Sequence, residues 1–163
     1  MTTPPLTPAD EAFLRRAIEL AREARAAGRH PFGSLIVDAA GAIVVESRNN
    51  AVPPAGDPTQ HAELLACAAA AKIRTGAELA TCTLFTSTEP CAMCAGAIYW
   101  TGIGRVVYAL AEKGLLRFTG SHAENPTLDL PCRDVFAHGQ RAIVVSGPHL
   151  EDEAAVVHEG FWT

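Results

Sequence analysis

The chain has 163 residues, of which 48% are hydrophobic and 19% are charged, a composition typical of a globular protein with a full core. Its longest apolar run, residues 64–71, is too short to cross a membrane. The formal net charge is −5, and no Lys or Arg follows Arg141, which disfavours a nucleic-acid partner. The odd number of cysteines, 5, argues against a disulfide framework and predicts a reducing, cytoplasmic location.

The first predicted element is a helix over residues 8–27, because Thr7 is a good N-cap and apolar residues recur there at helical spacing. Residues 34–38 and 42–47 are rich in β-branched residues on either side of a short turn, which predicts a β-hairpin. A loop rich in Pro and Gly then leads to a second helix over residues 60–74.

The second half of the chain alternates strands with helices. A strand over residues 82–87 precedes a helix over residues 90–101, and a strand over residues 105–110 follows that helix. A last strand over residues 141–146 leads into a final helix over residues 151–159.

The connection between the last two strands decides the topology. It contains about 30 residues, whereas a hairpin needs only a few, so these two strands are predicted to run parallel. The element order therefore predicts an α/β fold, a three-layer α/β/α sandwich around a mixed five-stranded sheet with parallel fourth and fifth strands. No linker divides the chain, so residues 1–163 are predicted to form a single domain.

Two cysteines, Cys91 and Cys94, stand three residues apart directly after Pro90. Pro favours a first helical turn, so both thiols are predicted at a helix N-terminus, where the partial positive charge favours thiolates. His61 lies in the first turn of the preceding helix, at the same end of the sheet. One imidazole and two thiolates, with a fourth position left open, form the pattern of a catalytic Zn²⁺ site.

Glu63 stands two residues after His61, and in a first helical turn both side chains can lean over the helix end. A carboxylate next to a zinc-activated water can accept a proton and later deliver it to a leaving group. The alternative is a Glu that only stabilises a helix N-terminus. This alternative is less favoured because the H-x-E and P-C-x-x-C motifs occur together in the chain.

Three segments, DPTQHAEL, TSTEPCAMCAGAIYW and GRVVYA, resemble the cytidine deaminase superfamily, in particular its guanine deaminases and tRNA adenosine deaminases. The resemblance covers roughly residues 8–115. It implies a cytidine deaminase-like fold, Zn²⁺ held by His61, Cys91 and Cys94, and Glu63 as the catalytic proton carrier.

The same resemblance supplies candidate substrate contacts. Asn50 stands eleven residues before His61, the position of a substrate-binding Asn in tRNA adenosine deaminases, although Asn is also common in turns. Phe32 and Trp100 match aromatic residues of guanine deaminases, with packing in the core or in a dimer as the alternative. Ala62, inside the HAE motif, is a further candidate contact.

Past residue 115 the resemblance weakens. Guanine deaminases carry acidic residues there that read the base, and the candidates in this chain are Glu124, Asp129 and Asp134. The ending Phe161–Trp162 is either a lid over a pocket or packing against the first helix.

The leading hypothesis is a zinc-dependent hydrolytic deaminase that releases ammonia from a free nucleobase or nucleoside. A guanine-type purine is the most favoured substrate. Cytosine or another aminated azine is the alternative substrate. The negative charge disfavours a tRNA adenosine deaminase, and the intact Glu63 disfavours a non-catalytic zinc-binding interaction module. The superfamily also implies a homodimer, and nothing in the sequence indicates a membrane partner.

Overall fold

A computed structural model describes residues 5–163 and shows one mixed sheet of five strands in the order β2-β1-β3-β4-β5. The strands are β1 Gly33–Val37, β2 Ile43–Arg48, β3 Thr83–Thr88, β4 Arg105–Leu110 and β5 Val144–Ser146. β1 pairs antiparallel with β2 and β3, whereas β3, β4 and β5 run parallel to one another. The predicted mixed sheet with parallel fourth and fifth strands is confirmed. The prediction of a single domain includes residues 1–4, which lie outside the described range.

The helices largely follow the predicted pattern. They are α1 Pro8–Ala26, α2 Ala62–Ala70, α3 Gly76–Leu79, α4 Ala92–Thr101, α5 Glu112–Thr119, α6 Cys132–Ala137 and α7 Glu151–Ala155. A 3-10 turn over Val156–His158 follows α7. None of the helices in the described part of the chain is both long enough and apolar enough to cross a membrane.

The second predicted helix, residues 60–74, is wrong at its C-terminal end. α2 stops at Ala70, and a separate short helix, α3, begins after Thr75. The reason is local, because the Thr75 side chain accepts a hydrogen bond from the Glu78 backbone and the Glu78 carboxylate accepts one from the Thr75 backbone. This reciprocal capping box starts a new helix just after the predicted end, and residues 71–74, predicted as helix, form the turn between α2 and α3.

The sheet is covered on both faces by helices. Alternate strand residues such as Leu35 and Phe85 pack against α1, α5 and α7, and their neighbours Ile36 and Leu84 pack against α2, α3, α4 and α6. Successive side chains of a strand point to opposite faces, so two apolar cores form. The result is the predicted three-layer sandwich.

Gly33 brings α1 close to the sheet. A Cβ at this position would lie 2.5 Å from the carbonyl oxygen of Ala17 and 2.5 Å from the backbone nitrogen of Ala21. Because glycine has no Cβ, the backbone of α1 can approach β1 closely at this position.

Candidate zinc centre and substrate pocket

Two helix starts carry the predicted metal ligands. His61 is the N-cap of α2, Cys91 is the N-cap of α4, and Cys94 lies in the first turn of α4. Neither N-cap side chain makes a capping hydrogen bond to its own helix. Both side chains are therefore available to a ligand at the end of the sheet where β3 finishes.

The three donor atoms have a spacing that fits Zn²⁺. The His61 nitrogen and the sulfurs of Cys91 and Cys94 all lie within 4.8 Å of one another, and His61 Nδ1 is 3.6 Å from Cys91 Sγ. Tetrahedral zinc with its usual bonds of about 2.0–2.1 Å to nitrogen and 2.3 Å to sulfur would separate these two atoms by about 3.6 Å. Two thiols and one imidazole are also the donor set that zinc prefers.

The electrostatics of the centre favour a thiolate at Cys91. The hydrogen bond from Cys94 and the contact with His61 lower the pKa of Cys91 to about 4. The hydrogen bond with Cys91, followed by burial, raises the pKa of Cys94. The hydrogen bond with Cys91 also raises the pKa of His61. One thiolate is thus present at neutral pH before any metal binds, which suits a cation site.

Glu63 lies beside the ligands and is 5% exposed. Its Oε1 accepts a hydrogen bond of 2.9 Å from Thr86 Oγ1 on β3, and its Oε2 lies 3.6 Å from Cys94 Sγ. Burial raises the pKa of this carboxyl. A buried carboxylate with a raised pKa, next to residues that can hold a metal, is suited to accept a proton and to release it again.

A cavity of about 310 Å³ opens in front of the centre. His61, Glu63 and Cys91 line it on the metal side, and Phe32 forms part of its wall. Ligand pockets range from roughly 300 to 1,000 Å³, so this cavity suits one small ring compound.

The four candidate substrate contacts are placed differently. Phe32 lines the cavity, and Ala62 is buried at the first position of α2. Asn50 is not among the lining residues, and its side-chain amide donates hydrogen bonds to the Gln60 side chain and to the Ala55 carbonyl oxygen. Trp100 is 78% exposed near the end of α4 and does not line the cavity. Substrate binding by these residues stays a prediction.

Two further lining residues were not among the predicted site residues. Thr88 is buried, and its hydroxyl has no hydrogen-bond partner among the described residues. Glu112, at the start of α5, also lines the cavity, and burial raises its pKa to about 7. Thr88 lies within the TSTEPCAMCAGAIYW segment, but only the structure shows that it lines the cavity, and Glu112 is brought there by α5, which carries no motif.

Glu89 links the strand end to the connection that covers the cavity. Its two carboxylate oxygens accept hydrogen bonds from the backbone N–H groups of Glu112 (3.1 Å) and Cys132 (3.2 Å). The segment between these two anchors includes Glu124 and residues 125–128, which form the far wall of the cavity. Of the three acidic candidates, Glu124 lines the cavity, and Asp129 and Asp134 do not.

The C-terminal segment packs behind this wall. Trp162 is 9% exposed, and its ring centroid lies 5.1 Å from that of His30 and 6.1 Å from that of Phe32. Arg25 of α1 lies 5.7 Å from the centre of the Phe161 ring. The tail therefore both contacts α1 and supports residues next to the cavity.

Known proteins share these features. The protein-family model described as the cytidine and deoxycytidylate deaminase zinc-binding region matches residues 7–110 of this chain. A probable cytosine deaminase of Schizosaccharomyces pombe is 43% identical over 162 residues, 99% of this chain and 98% of that protein. A guanine deaminase of Bacillus subtilis is 49% identical over 100 residues, 61% of this chain and 63% of that protein.

A solved structure agrees with the sequence matches. The structure of a guanine deaminase from Nitrosomonas europaea superposes with a TM-score of 0.70 at 27% identity, covering 96% of this chain and 86% of that one. The matched region contains the His61, Cys91 and Cys94 group and the Glu63 carboxylate beside it. The chain belongs to the cytidine and deoxycytidylate deaminase family of zinc-binding proteins.

Proposed function

We propose that this protein is a zinc-dependent hydrolytic deaminase of a free nucleobase or nucleoside, with a guanine-type purine as the first candidate. The observation that carries the proposal is the Glu63 carboxylate, which is buried beside the metal ligands and lines a cavity that suits one small ring compound. Zinc bound at His61, Cys91 and Cys94 supplies a Lewis acid that activates water at neutral pH.

Residues of the protein carry out the proton transfer, orient the carboxylate and contact the base. Glu63 takes the proton of the attacking water and passes it to the exocyclic amine, which leaves as ammonia. The hydrogen bond from Thr86 fixes one carboxylate oxygen, so the other oxygen is oriented toward the metal ligands. Phe32 lines the cavity and can offer an aromatic face to a flat heterocycle.

Two substrates have separate support. Guanine is favoured by Glu124, an acidic lining residue, and by the similarity to guanine deaminases of two organisms. Cytosine is favoured by the similarity to a probable cytosine deaminase over almost the whole length of both proteins. A tRNA substrate is disfavoured because none of the described residues that line the cavity is Lys or Arg.

The test measures ammonia release from guanine, guanosine, cytosine, cytidine, adenine and adenosine with zinc-loaded protein. Glu63→Gln keeps the size of the side chain and removes its ability to carry a proton, so we expect zinc to stay bound and turnover to fall by about 10²–10⁴-fold. Retained activity in this variant would refute the role of Glu63. One bound zinc without ammonia from any substrate would support the zinc-binding interaction module instead.

The assembly and the cellular location stay predictions. A homodimer is expected from the superfamily, and sedimentation of the purified protein measures it. The cytoplasmic location is expected from the cysteine content of the sequence.

A further inference from the structure

Two buried threonine hydroxyls at the cavity have no hydrogen-bond partner among the described residues. They belong to Thr88, the last residue of β3, and to Thr127, in the connection between α5 and α6. Both residues line the cavity of about 310 Å³ in front of the metal ligands. His158 Nε2 is a further such atom within residues 5–163, but His158 does not line this cavity.

A buried hydroxyl without a partner destabilises a folded protein, because it gives up its hydrogen bonds to water and gains none in return. Valine has nearly the shape of threonine and would avoid this cost at both positions. Such groups are rare in native proteins, and each one calls for a partner such as a ligand. Two of them in one cavity indicate that polar atoms of a bound molecule are their partners.

The two hydroxyls come to the cavity from different sides. Thr88 follows Thr86 by two positions on β3, the spacing at which side chains of a strand point to the same face. Thr86 donates the hydrogen bond of 2.9 Å that holds Glu63, so Thr88 belongs to the same side of the strand as Glu63. Thr127 lies in the far wall, which residues 124–128 form. A ring next to Glu63 can therefore contact both hydroxyls.

The acidic residues of the lining cannot donate hydrogen bonds while they are ionised. In that state the Glu63 and Glu124 carboxylates only accept, and both oxygens of Glu89 already accept from backbone N–H groups. A heterocycle with an oxo group presents an edge of acceptors, namely its carbonyl oxygen and its unprotonated ring nitrogens. A threonine hydroxyl can donate to these atoms. Thr88 and Thr127 therefore supply the donors that such an edge requires.

We propose that Thr88 and Thr127 are specificity-determining residues whose hydroxyls donate hydrogen bonds to the oxo-bearing edge of the substrate ring. This inference rests on the proposed deaminase function and narrows its substrate to aminated rings that also carry an oxo group. A ring without that group leaves the two hydroxyls buried and unpaired, so the protein discriminates against it.

The test uses pairs of substrates that differ in the oxo group: guanine with 2-aminopurine, and cytosine with 4-aminopyrimidine. The quantity measured is kcat/KM in the wild type, in Thr88→Val and in Thr127→Val. We expect each valine variant to lower kcat/KM for the oxo-bearing base by about fivefold or more and to leave the value for its analogue within about twofold. An equal loss for both members of a pair would overturn the inference.

Urea unfolding of the same variants, loaded with zinc and measured without a base, gives a second readout. The unfolding midpoint of Thr88→Val and of Thr127→Val should equal or exceed that of the wild type, because an unpaired hydroxyl is removed. Thr119→Val is the matched control, since Thr119 is buried, donates a hydrogen bond to the Leu115 carbonyl oxygen and does not line the cavity. It should leave the substrate preference unchanged and should not raise the midpoint. A lower midpoint in both cavity variants would assign the hydroxyls a structural role and overturn the inference.

A binding measurement separates this inference from the proposed function. Titration calorimetry on zinc-loaded Glu63→Gln protein records the affinity for both members of each pair without turnover. Tighter binding of the oxo-bearing base, lost in the double variants with Thr88→Val or Thr127→Val, supports the inference even if the wild type releases no ammonia. Ammonia release with an unchanged preference in both valine variants overturns the inference and leaves the proposed function standing.

Discussion

The two carboxylate oxygens of Glu63 have different neighbours, and these contacts fix the orientation of the carboxylate. One oxygen is held by the hydroxyl of Thr86, and the other faces Cys94 and the metal side of the cavity. Thr86 is itself completely buried in the middle of the sheet, so the hydrogen bond is shielded from water. A shielded hydrogen bond to a charged group contributes more than one between neutral partners.

Thr86→Val therefore tests whether orientation matters as well as the carboxylate itself. Valine keeps the shape of the side chain and removes the hydrogen bond, so we expect kcat to fall by about tenfold or more while zinc stays bound. Steady-state rates and metal analysis of the same preparation measure both. Thr83→Val, at the other end of β3, is the matched control and should keep the wild-type rate. An unchanged kcat in Thr86→Val would show that the hydrogen bond from Thr86 does not contribute to the function of Glu63.

The residues that carry a chemical motif can be found in the sequence, because the metal restricts both their type and their spacing. His61, Cys91 and Cys94 lie together in the structure as a group that can hold a metal ion. Thr88 and Glu112 escape such a search because a threonine at a strand end and a glutamate at a helix start are common for purely local reasons. The pocket is formed by tertiary contacts that a motif does not encode.

At the scale of elements, the C-terminal segment is fastened by a small number of specific contacts. The Arg25 guanidinium on α1 donates hydrogen bonds of 2.8 Å to the carbonyl oxygens of Val157 and Glu159. Trp162 Nε1 donates a hydrogen bond of 3.2 Å to His158 Nδ1, which fixes His158 as a neutral ring with its proton on Nε2. That Nε2 atom is buried without a partner among the described residues.

His158 should consequently make the protein less stable in mild acid. Burial lowers the pKa of this ring from 6.5 to about 4. The unfolded chain then binds a proton that the folded chain rejects, so stability falls as the pH drops from about 6.5 toward 4. With about 1.36 kcal/mol per pKa unit, we expect a loss of about 2 kcal/mol between pH 7 and pH 5.

Denaturant unfolding of the wild type and of His158→Asn at the two pH values measures this effect. Asparagine can still accept the hydrogen bond from Trp162 but does not titrate, so the pH-dependent part should disappear. His138→Asn changes an exposed histidine and should leave the pH dependence intact. An equal loss of stability between pH 7 and pH 5 in the wild type and in His158→Asn would contradict the assignment of this pH dependence to His158.

The element predictions succeed and fail for physical reasons. α1 was predictable because capping, acidic first turn and apolar stripe all agree over 19 residues. β5 is shorter than the predicted residues 141–146, and it begins at Val144, where pairing with β4 starts. α6 was not predicted, because a helix of six residues shows too little periodicity and is held by the burial of Cys132 and Phe136 in the core.

At the scale of the whole molecule, an ion pair joins the first helix to the start of β4, an interior strand of the sheet. Arg105 at the start of β4 donates two hydrogen bonds, of 2.8 and 3.1 Å, to the two carboxylate oxygens of Asp10. The Asp10 side chain is 10% exposed and the Arg105 side chain is 29% exposed, so the pair is partly shielded from solvent. Residues 95 positions apart in the chain are held together by this bidentate contact.

Asp10→Asn should lower the free energy of unfolding at pH 7 by about 2 kcal/mol, because a charge-assisted pair is lost. The hydrogen bond from Arg105 lowers the pKa of Asp10, so its contribution is present above the unfolded value of about 3.9 and is lost as the pH falls through the folded value. Urea unfolding should therefore show a wild-type advantage at pH 7 that shrinks below pH 4. Glu11→Gln removes a solvent-exposed partner of Arg15 and should lower the free energy of unfolding far less than Asp10→Asn does.

The anchoring of the α5–α6 connection has a consequence for how such proteins diverge. Glu89 follows the strand that leads into the metal ligands, and it holds the first residue of α5 and the first residue of α6, so α5 and the connection lie between the two held points. Insertions, deletions and substitutions in the connection from Gly120 to Pro131, which lies between the two held points, can remodel this wall of the cavity without shifting the reactive groups next to it. New preferences for a base or its attached group are therefore expected to arise by exchange of this stretch, while the machinery for breaking the carbon–nitrogen bond is inherited unchanged.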